Sequence, residues 1–295
     1  MDIRFESIGG NSDWRTRLSG MSVPDCVATD PILSSCLQTL ISGGSISSEV
    51  GISLMHHDSL SALCSLASMV KKSRFDNRVF FNENLHVNTT NICVLACRFC
   101  AFRKGSRHPE AYALSAKDFV ERIEPYSNRI DEVHAVGGLH PDWTIEHYVE
   151  LYSTIKNAYP HIHLKSLTAI EIIHIAERSG ISVKQTLQSL LKSGLGSIPG
   201  GGAEILVDSV RNIICRGKET SSEYLEVHAT AHDLDIPTNC TMLFGTIETL
   251  DHRIAHLVTL REQQEESGGF QCFVPYPFLP DRSRLPEAQL ASSSE

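Results

Sequence analysis

Cys93, Cys97 and Cys100 stand at C-x3-C-x2-C spacing within Asn88-Thr-Thr-Asn-Ile-Cys93-Val-Leu-Ala-Cys97-Arg-Phe-Cys100-Ala-Phe102. Nine cysteines in 295 residues would produce that spacing by chance in roughly one chain in a hundred, so the trio calls for an explanation. The other six, Cys26, Cys36, Cys64, Cys215, Cys240 and Cys272, are isolated and read as reduced, mostly core residues. Three thiolates on one short loop suit a soft metal centre. An iron–sulfur cubane normally takes four cysteines, so three would leave one iron open to an outside ligand. Zinc is the alternative; it wants a fourth protein ligand, which His86 or His108 would have to supply. Plain core cysteines are the third reading.

Four further constellations carry polar groups at the ends of apolar runs. Val136-Gly137-Gly138-Leu139-His140-Pro141 pairs two glycines, which let the backbone approach a ligand closely, with a candidate acid or base, His140. A plain strand-to-helix turn would look the same. Leu167-Thr-Ala-Ile-Glu171 offers a carboxylate that either meets a ligand or favours a helix N-terminus. Gly194-Leu-Gly196-Ser-Ile-Pro199-Gly200-Gly201-Gly202-Ala-Glu204 is a loop of little bulk with several free N–H groups, read here as opening a helix. No Gly-Lys-Ser or Gly-Lys-Thr follows, which disfavours a phosphate loop. Asn239-Cys-Thr-Met-Leu-Phe-Gly245-Thr-Ile-Glu248 closes the set, with Glu248 read as a helix cap.

The elements that must position these groups follow from periodicity. Strands are expected at 85–91, 132–137, 161–168, 195–198, 237–243 and 270–275. Helical patterns fall between them at 115–126, 145–159, 170–178 with 183–192, 203–215, 221–234 and 250–266. Six βα steps in one direction predict an α/β fold with a parallel sheet, best read as a partial (β/α) TIM-type barrel of about six units. The expected organisation is a poorly ordered lead-in over 1–46, a small helical segment over 47–77, the barrel over 78–280 and a loose tail over 281–295. A formal net charge of −9 with scattered basic residues argues against a general nucleic-acid binder. No apolar run has the length of a membrane span and no signal peptide is visible, so a cytoplasmic location is expected.

The cysteine spacing followed by Phe102 resembles the radical S-adenosylmethionine superfamily. The resemblance implies a [4Fe–4S] cluster on Cys93, Cys97 and Cys100, with the open iron chelating the methionine part of S-adenosylmethionine. It further implies that Phe102 lies by the adenine and that Gly137 and Gly138 meet the methionine ammonium. From the residues themselves, Glu204 is the ligand contact of a loop suited to the ribose or a carboxylate, and Gly245 reads as a close-packing site under the adenine. Within the superfamily, NTTNIC, CRFCAF, VGGLHPD, IHLKSLTAIEI, GLGSIPGGGAEIL and TNCTMLFG look like the aminodeoxyfutalosine synthase family. That likeness implies a transferase of menaquinone biosynthesis that consumes S-adenosylmethionine as co-substrate and takes an aromatic dicarboxylate, 3-[(1-carboxyvinyl)oxy]benzoate. His140 and Glu171 are then the catalytic candidates, and Asn88, Asn91, Lys165 and Asn239 the substrate contacts, because two desolvated carboxylates need cations or polar donors. The electron donor would be a flavodoxin or ferredoxin. Dehypoxanthine futalosine cyclase, a deazaflavin-cofactor synthase and an inactive cluster-binding paralogue are the alternatives. Family members continue past the sixth strand, whereas this chain ends at Ser-Ser-Ser-Glu, so a C-terminal part is expected to be missing.

Overall fold

The structure is a computed structural model that describes Gly10 and residues 12–292. The chain divides into two compact units: residues up to Phe81 with Thr249–Val258, and Asn82–Glu248 with residues 259–292.

The first unit is helical: α1 (Trp14–Ser19), α2 (Asp25–Ala28), α3 (Pro31–Ile41), α4 (Ser48–Met55) and α5 (Leu60–Phe75). Leu18, Val27, Leu33, Leu37, Leu66 and Met69 form its core. The expected loose lead-in over 1–46 is therefore corrected from Trp14 onward; residues 1–9 and 11 lie outside the described part. The Ser- and Gly-rich composition concealed three short helices. Asp30 caps α3 through bonds of 2.9 Å from the amides of Ile32 and Leu33, with Pro31 at the first helical position.

The second unit holds β1 (Asn84–His86), α6 (Ala116–Ile123), β2 (Glu132–Ala135), α7 (Ile145–Ala158), β3 (His163–Ser166), α8 (Ala169–Ser179), α9 (Val183–Ser193) and β4 (Leu195–Ser197). It continues through α10 (Asp208–Ile214), α11 (Ser221–His232), β5 (Thr238–Phe244), α12 (Leu250–Ser267), which begins within the first unit's Thr249–Val258 segment, and β6 (Phe270–Pro277). All strand pairs are parallel: β1 to β4 form one ladder in chain order, β5 pairs β6, and an Ile198–Thr238 bridge joins the two. Six parallel strands in sequential order, joined by five helical connections, are a partial TIM-type barrel, as expected.

Capping explains why the helices start where they do. Reciprocal boxes of Ser115 with Asp118, Thr168 with Glu171, Ser182 with Gln185 and Thr220 with Glu223 open α6, α8, α9 and α11. Val133, Leu164 and Leu195 turn to the helices and bury against Phe119, Ile123, Leu151, Tyr152, Ile155 and Leu187. Each such side chain contributes on the order of 1.5–3 kcal/mol. Strand alternation leaves His86, Glu132, His134 and Lys165 on the opposite, barrel-lining face.

Three expectations change. β1 stops at His86 rather than Asn91, because residues 89–91 leave the ladder to bond the 104–114 segment: Leu114 N–H donates to Thr89 O at 2.9 Å and Lys104 N–H to Asn91 O at 2.7 Å. The helix expected over 203–215 begins only at Asp208. Residues 202–206 are a buried loop, with Glu204 at φ +46°, whose carbonyls are met by the side chains of Arg211 and Lys218. Finally, the tail over 281–292 is not loose. Leu285 is buried, and the amides of Arg284 and Gln289 donate to Arg98 O and Thr246 O; residues 293–295 are outside the described part. Among the described residues, no helix is long and apolar enough to cross a membrane.

Candidate active site

The thiol loop leaves the C-terminal end of β1, where a parallel barrel gathers its functional groups. Its backbone is tied on two sides. Cys93 N–H donates to Lys104 O and Val94 N–H to Leu139 O, both at 3.1 Å, while Arg98 N–H donates to Ile214 O at 2.7 Å. Cys97 is buried with Ile205, Ile214, Met242 and Phe278, and burial pushes its thiol up to about 12; Cys93 and Cys100 are half-buried. Bound metal would have to displace the Cys97 proton, as a metal–thiolate bond does outright.

The donor set decides which centre fits. Among the described residues no group of three or more His, Cys, Asp or Glu side chains converges tightly enough for a single ion. Neither proposed fourth zinc ligand is poised: His86 stacks on His134 at 4.9 Å, and His108 Nδ1 accepts from Glu110 N–H at 3.1 Å. A cubane instead takes each thiolate on a different iron and tolerates three. The residues present therefore fit a [4Fe–4S] cluster better than mononuclear zinc.

The diglycine borders this loop closely. A Cβ on Gly138 would lie 2.3 Å from Ile92 O and 3.0 Å from Cys93 Cβ, and one on Gly137 would lie 2.3 Å from Thr89 Oγ1. Only glycine lets the β2 loop pass there. Two buried acceptors at the end of β1, Asn88 Oδ1 and Thr89 Oγ1, have no hydrogen-bond partner among the described residues. Unsatisfied buried oxygens are costly, and at a strand end they mark a place for a polar ligand.

Glu171 holds this arrangement. Its Oε1 accepts from Gly137 N–H at 2.8 Å; its Oε2 accepts from Thr168 N–H at 2.8 Å and Thr168 Oγ1 at 2.7 Å. It is 1% exposed, and desolvation pushes its carboxyl up to about 7 against the pull of those three donors. With both oxygens occupied it is a positioning residue of the diglycine, which corrects its assignment to catalysis.

His140 stacks on Trp143 at 4.6 Å, and its Nδ1 accepts from Asp142 N–H at 3.2 Å. Burial lowers its pKa, so the neutral ring carries its proton on Nε2. Phe102 is exposed and meets Tyr112 edge-on at 6.4 Å.

The remaining candidates separate. Asn91 is spent on the loop: Nδ2 donates to Glu110 O at 2.9 Å and Oδ1 accepts from Tyr112 N–H at 2.8 Å, which corrects its assignment to substrate. Lys165 pairs with buried Glu132 at 2.7 Å, so its charge is shared rather than free. Beside it, burial and the His86 ring lower His134 to about 4. Asn239 is buried on β5, its carbonyl only 2.0 Å from where a Cβ on Gly200 would sit. Gly245, at φ +86°, is packed on its Cβ side by the chain itself: a Cβ there would lie 2.8 Å from Ala291 N. Glu248 accepts from Gly245 N–H at 2.6 Å and Thr246 N–H at 2.8 Å, pinning that turn.

Glu204 has a partner that sequence reasoning missed. Its carboxylate bonds Lys218 Nζ, which also donates to Gly202 O at 2.8 Å. Desolvation opposes the charge on Lys218, but Glu204 and Glu219 hold its pKa above the usual lysine range. Glu219 is buried with neither oxygen hydrogen-bonded among the described residues, and Arg211 Nη2 lies 3.4 Å from Oε1. Lys218-Glu219 after Gly217 gave only a weak signal, a charged pair following a turn.

Residues 87–260 match the model of the Radical SAM superfamily. The chain is 36% identical over 257 residues to the aminodeoxyfutalosine synthase of Thermus thermophilus, covering 87% of this chain and 69% of that protein. It is 39% identical over 221 residues to the 5-amino-6-(D-ribitylamino)uracil–L-tyrosine 4-hydroxyphenyl transferase of Methanothermobacter thermautotrophicus, covering 75% and 60%. The chain thus spans 69% and 60% of the length of these two curated relatives. Among solved structures, methylornithine synthase superposes with TM-score 0.68 at 16% identity, covering 88% of this chain and 72% of that one. The [FeFe]-hydrogenase maturase HydG gives 0.67 at 17% identity, covering 99% and 61%. At those identities the likeness speaks for the fold alone. Thiol loop, diglycine, parallel barrel and family model converge: the chain belongs to the radical SAM superfamily.

Proposed function

We propose that this chain is a transferase that adds the 5′-deoxyadenosyl group of S-adenosylmethionine to the enol-ether double bond of 3-[(1-carboxyvinyl)oxy]benzoate. Aryl migration from oxygen to carbon and loss of the carboxylate as CO2, which becomes bicarbonate in water, would give aminodeoxyfutalosine, a step toward menaquinone, with methionine released. The departing carboxylate gives back the one electron that opened the sulfonium, so the products are closed-shell. The observation that carries the reading is 36% identity to the Thermus thermophilus synthase across 87% of this chain. When bound by Cys93, Cys97 and Cys100, a [4Fe–4S] cluster supplies the electron that opens the sulfonium.

The chain's own residues hold and shield. The backbone of Gly137 and Gly138, fixed by Glu171, would seat the methionine ammonium, and Glu204, held by Lys218, would contact the ribose or a carboxylate. Phe102 would lie along the adenine. Asn88 and Asn239 would orient the aromatic acid by donating from their amide Nδ2 groups. Lys165, sharing its charge with Glu132, would offset part of a carboxylate's charge. His140, neutral and protonated on Nε2, would donate a hydrogen bond rather than act as a base. A flavodoxin or ferredoxin of the cytoplasm would be the reductant.

A second reading has its own observation. Identity of 39% over 221 residues to the tyrosine hydroxyphenyl transferase supports deazaflavin-precursor chemistry, which begins with hydrogen abstraction. Anaerobically reconstituted protein incubated with S-adenosylmethionine and each substrate separates them. An adenosylated product from the enol ether supports the first reading. Free 5′-deoxyadenosine with tyrosine and the ribitylaminouracil, and no adduct from the enol ether, refutes it.

A further inference from the structure

Residues 278–289 run alongside one half of the thiol loop and bond it at several points. Arg98 stands between Cys97 and Cys100 in sequence, and its carbonyl accepts from Arg284 N–H at 2.7 Å. In return Arg98 Nε donates to Arg284 O at 3.2 Å, and Arg284 Nη2 donates to Ala96 O at 3.1 Å. The Arg98 guanidinium then grips Glu287 with both arms, Nη1 to Oε1 at 2.6 Å and Nη2 to Oε2 at 2.8 Å. Two parallel N–H···O bonds of this kind fix orientation as well as distance.

The segment making these bonds is itself anchored. Phe278 N–H donates to Phe244 O at 2.8 Å and Gln289 N–H to Thr246 O at 2.6 Å. Phe278 and Leu285 are buried in the same apolar cluster as Cys97. The other half of the loop has different supports, since Cys93 and Val94 hang from Lys104 O and Leu139 O. The two ends of the cysteine set are thus held by unrelated parts of the chain.

We propose that residues 278–289 form a strap that fixes and covers the Cys97–Cys100 half of the thiol loop, with Arg98 as the positioning residue through its two-armed bond to Glu287. Loops of this length exchange conformations readily unless tied down, and a metal centre needs its donors at fixed separations. The strap supplies that fixity to the two thiols farther along the loop and limits access of solutes to them. The Arg98 and Glu287 side chains are 36% and 43% exposed, so the ion pair is partly screened and its loss loosens the strap without unfolding the unit.

The test uses the metal-free full chain and iodoacetamide, with mass spectrometry reporting each cysteine separately. In Arg98→Ala and in Glu287→Ala, alkylation of Cys97 and Cys100 rises about fivefold relative to Cys93, which serves as internal standard. The two substitutions change local charge in opposite senses, so a common direction reports the strap and not electrostatics. The exchanged pair, Arg98→Glu with Glu287→Arg, returns the ratio toward that of the unaltered protein. An unchanged Cys97-to-Cys93 ratio in both single variants, or an exchanged pair no better than either, overturns the proposal. So does an equal rise at all three cysteines, which would mean general loosening. In reconstituted protein the single variants also lose their visible absorbance in air several-fold faster. Only this last arm rests on the cluster-binding reading: protein that takes up no iron refutes that reading, and the labelling ratio still decides the strap.

Discussion

Replacing Glu171 by Gln tests whether one buried carboxylate holds the diglycine in place. The carboxylate's two oxygens meet three donors, one from Gly137 and two from Thr168. A glutamine keeps one oxygen. If it stays on Thr168, the helix cap survives, but an NH2 group then faces the Gly137 N–H. Leaving that amide without an acceptor costs about 1–3 kcal/mol. The opposing gain depends on pH. Desolvation raises the Glu171 carboxyl from its ordinary 4.5 to about 7, so the folded state binds this proton more tightly than the unfolded one. Stability from this group is therefore fully present below pH 4.5 and is lost as pH rises through 7. At ~1.4 kcal/mol per factor of ten in the protonation equilibrium, the loss amounts to about 3 kcal/mol. Glutamine does not titrate, so the variant lacks this slope. Urea unfolding of both proteins from pH 4.5 to 8 should show the gap between them shifting by about 3 kcal/mol in favour of the variant as pH rises. Hydrogen exchange at the Gly137 amide should quicken in the variant at every pH. Parallel stability profiles with unchanged Gly137 protection would refute the assignment of Glu171 as the diglycine's support.

Two further pairs of substitutions probe the site's packing and charge. Gly138→Ala should destabilise the second unit by about 1–3 kcal/mol, because its Cβ would meet Ile92 O, a backbone atom, at 2.3 Å. Gly105→Ala, where a Cβ meets nothing within 4 Å, should stay within about 0.5 kcal/mol, and thermal midpoints compared side by side would reveal any failure of that contrast. Lys165→Met should cost about 3 kcal/mol by stranding buried Glu132, while adding Glu132→Leu should recover most of it. A double-mutant cycle in urea showing simple additivity would mean the pair is not coupled.

Some of this was legible before any coordinate. The cysteine spacing is a property of adjacent residues and survives any uncertainty about packing. The parallel barrel followed from alternating periods of two and 3.6, which local sequence expresses directly. Helix starts near 115, 183 and 221 followed from the same periodicity, and the structure adds the capping boxes at Ser115, Ser182 and Thr220 that fix them. The lead-in was misread because its helices are four to eleven residues long and owe their stability to a shared core, which composition does not display.

What the sequence by itself determined is the chemistry on offer: three thiols, two glycines without side chains, and a set of acids, amides and bases near strand ends. Which of these are spent on the protein's own backbone was settled only by tertiary structure. Asn91 and Gly245 resemble ligand contacts in one dimension, yet each finds its partner across a long stretch of chain; Glu171 caps Thr168 locally, as its helix-start reading allowed, but its bond to Gly137 spans 34 residues. Lys218 beneath Glu204 and Glu287 on Arg98 were invisible for the same reason: the pairs lie 14 and 189 residues apart, and only the folded chain closes that distance. A hydrogen bond depends on position to within a few tenths of an ångström. Residue type and spacing fix which bonds are chemically possible, and packing selects the ones that form.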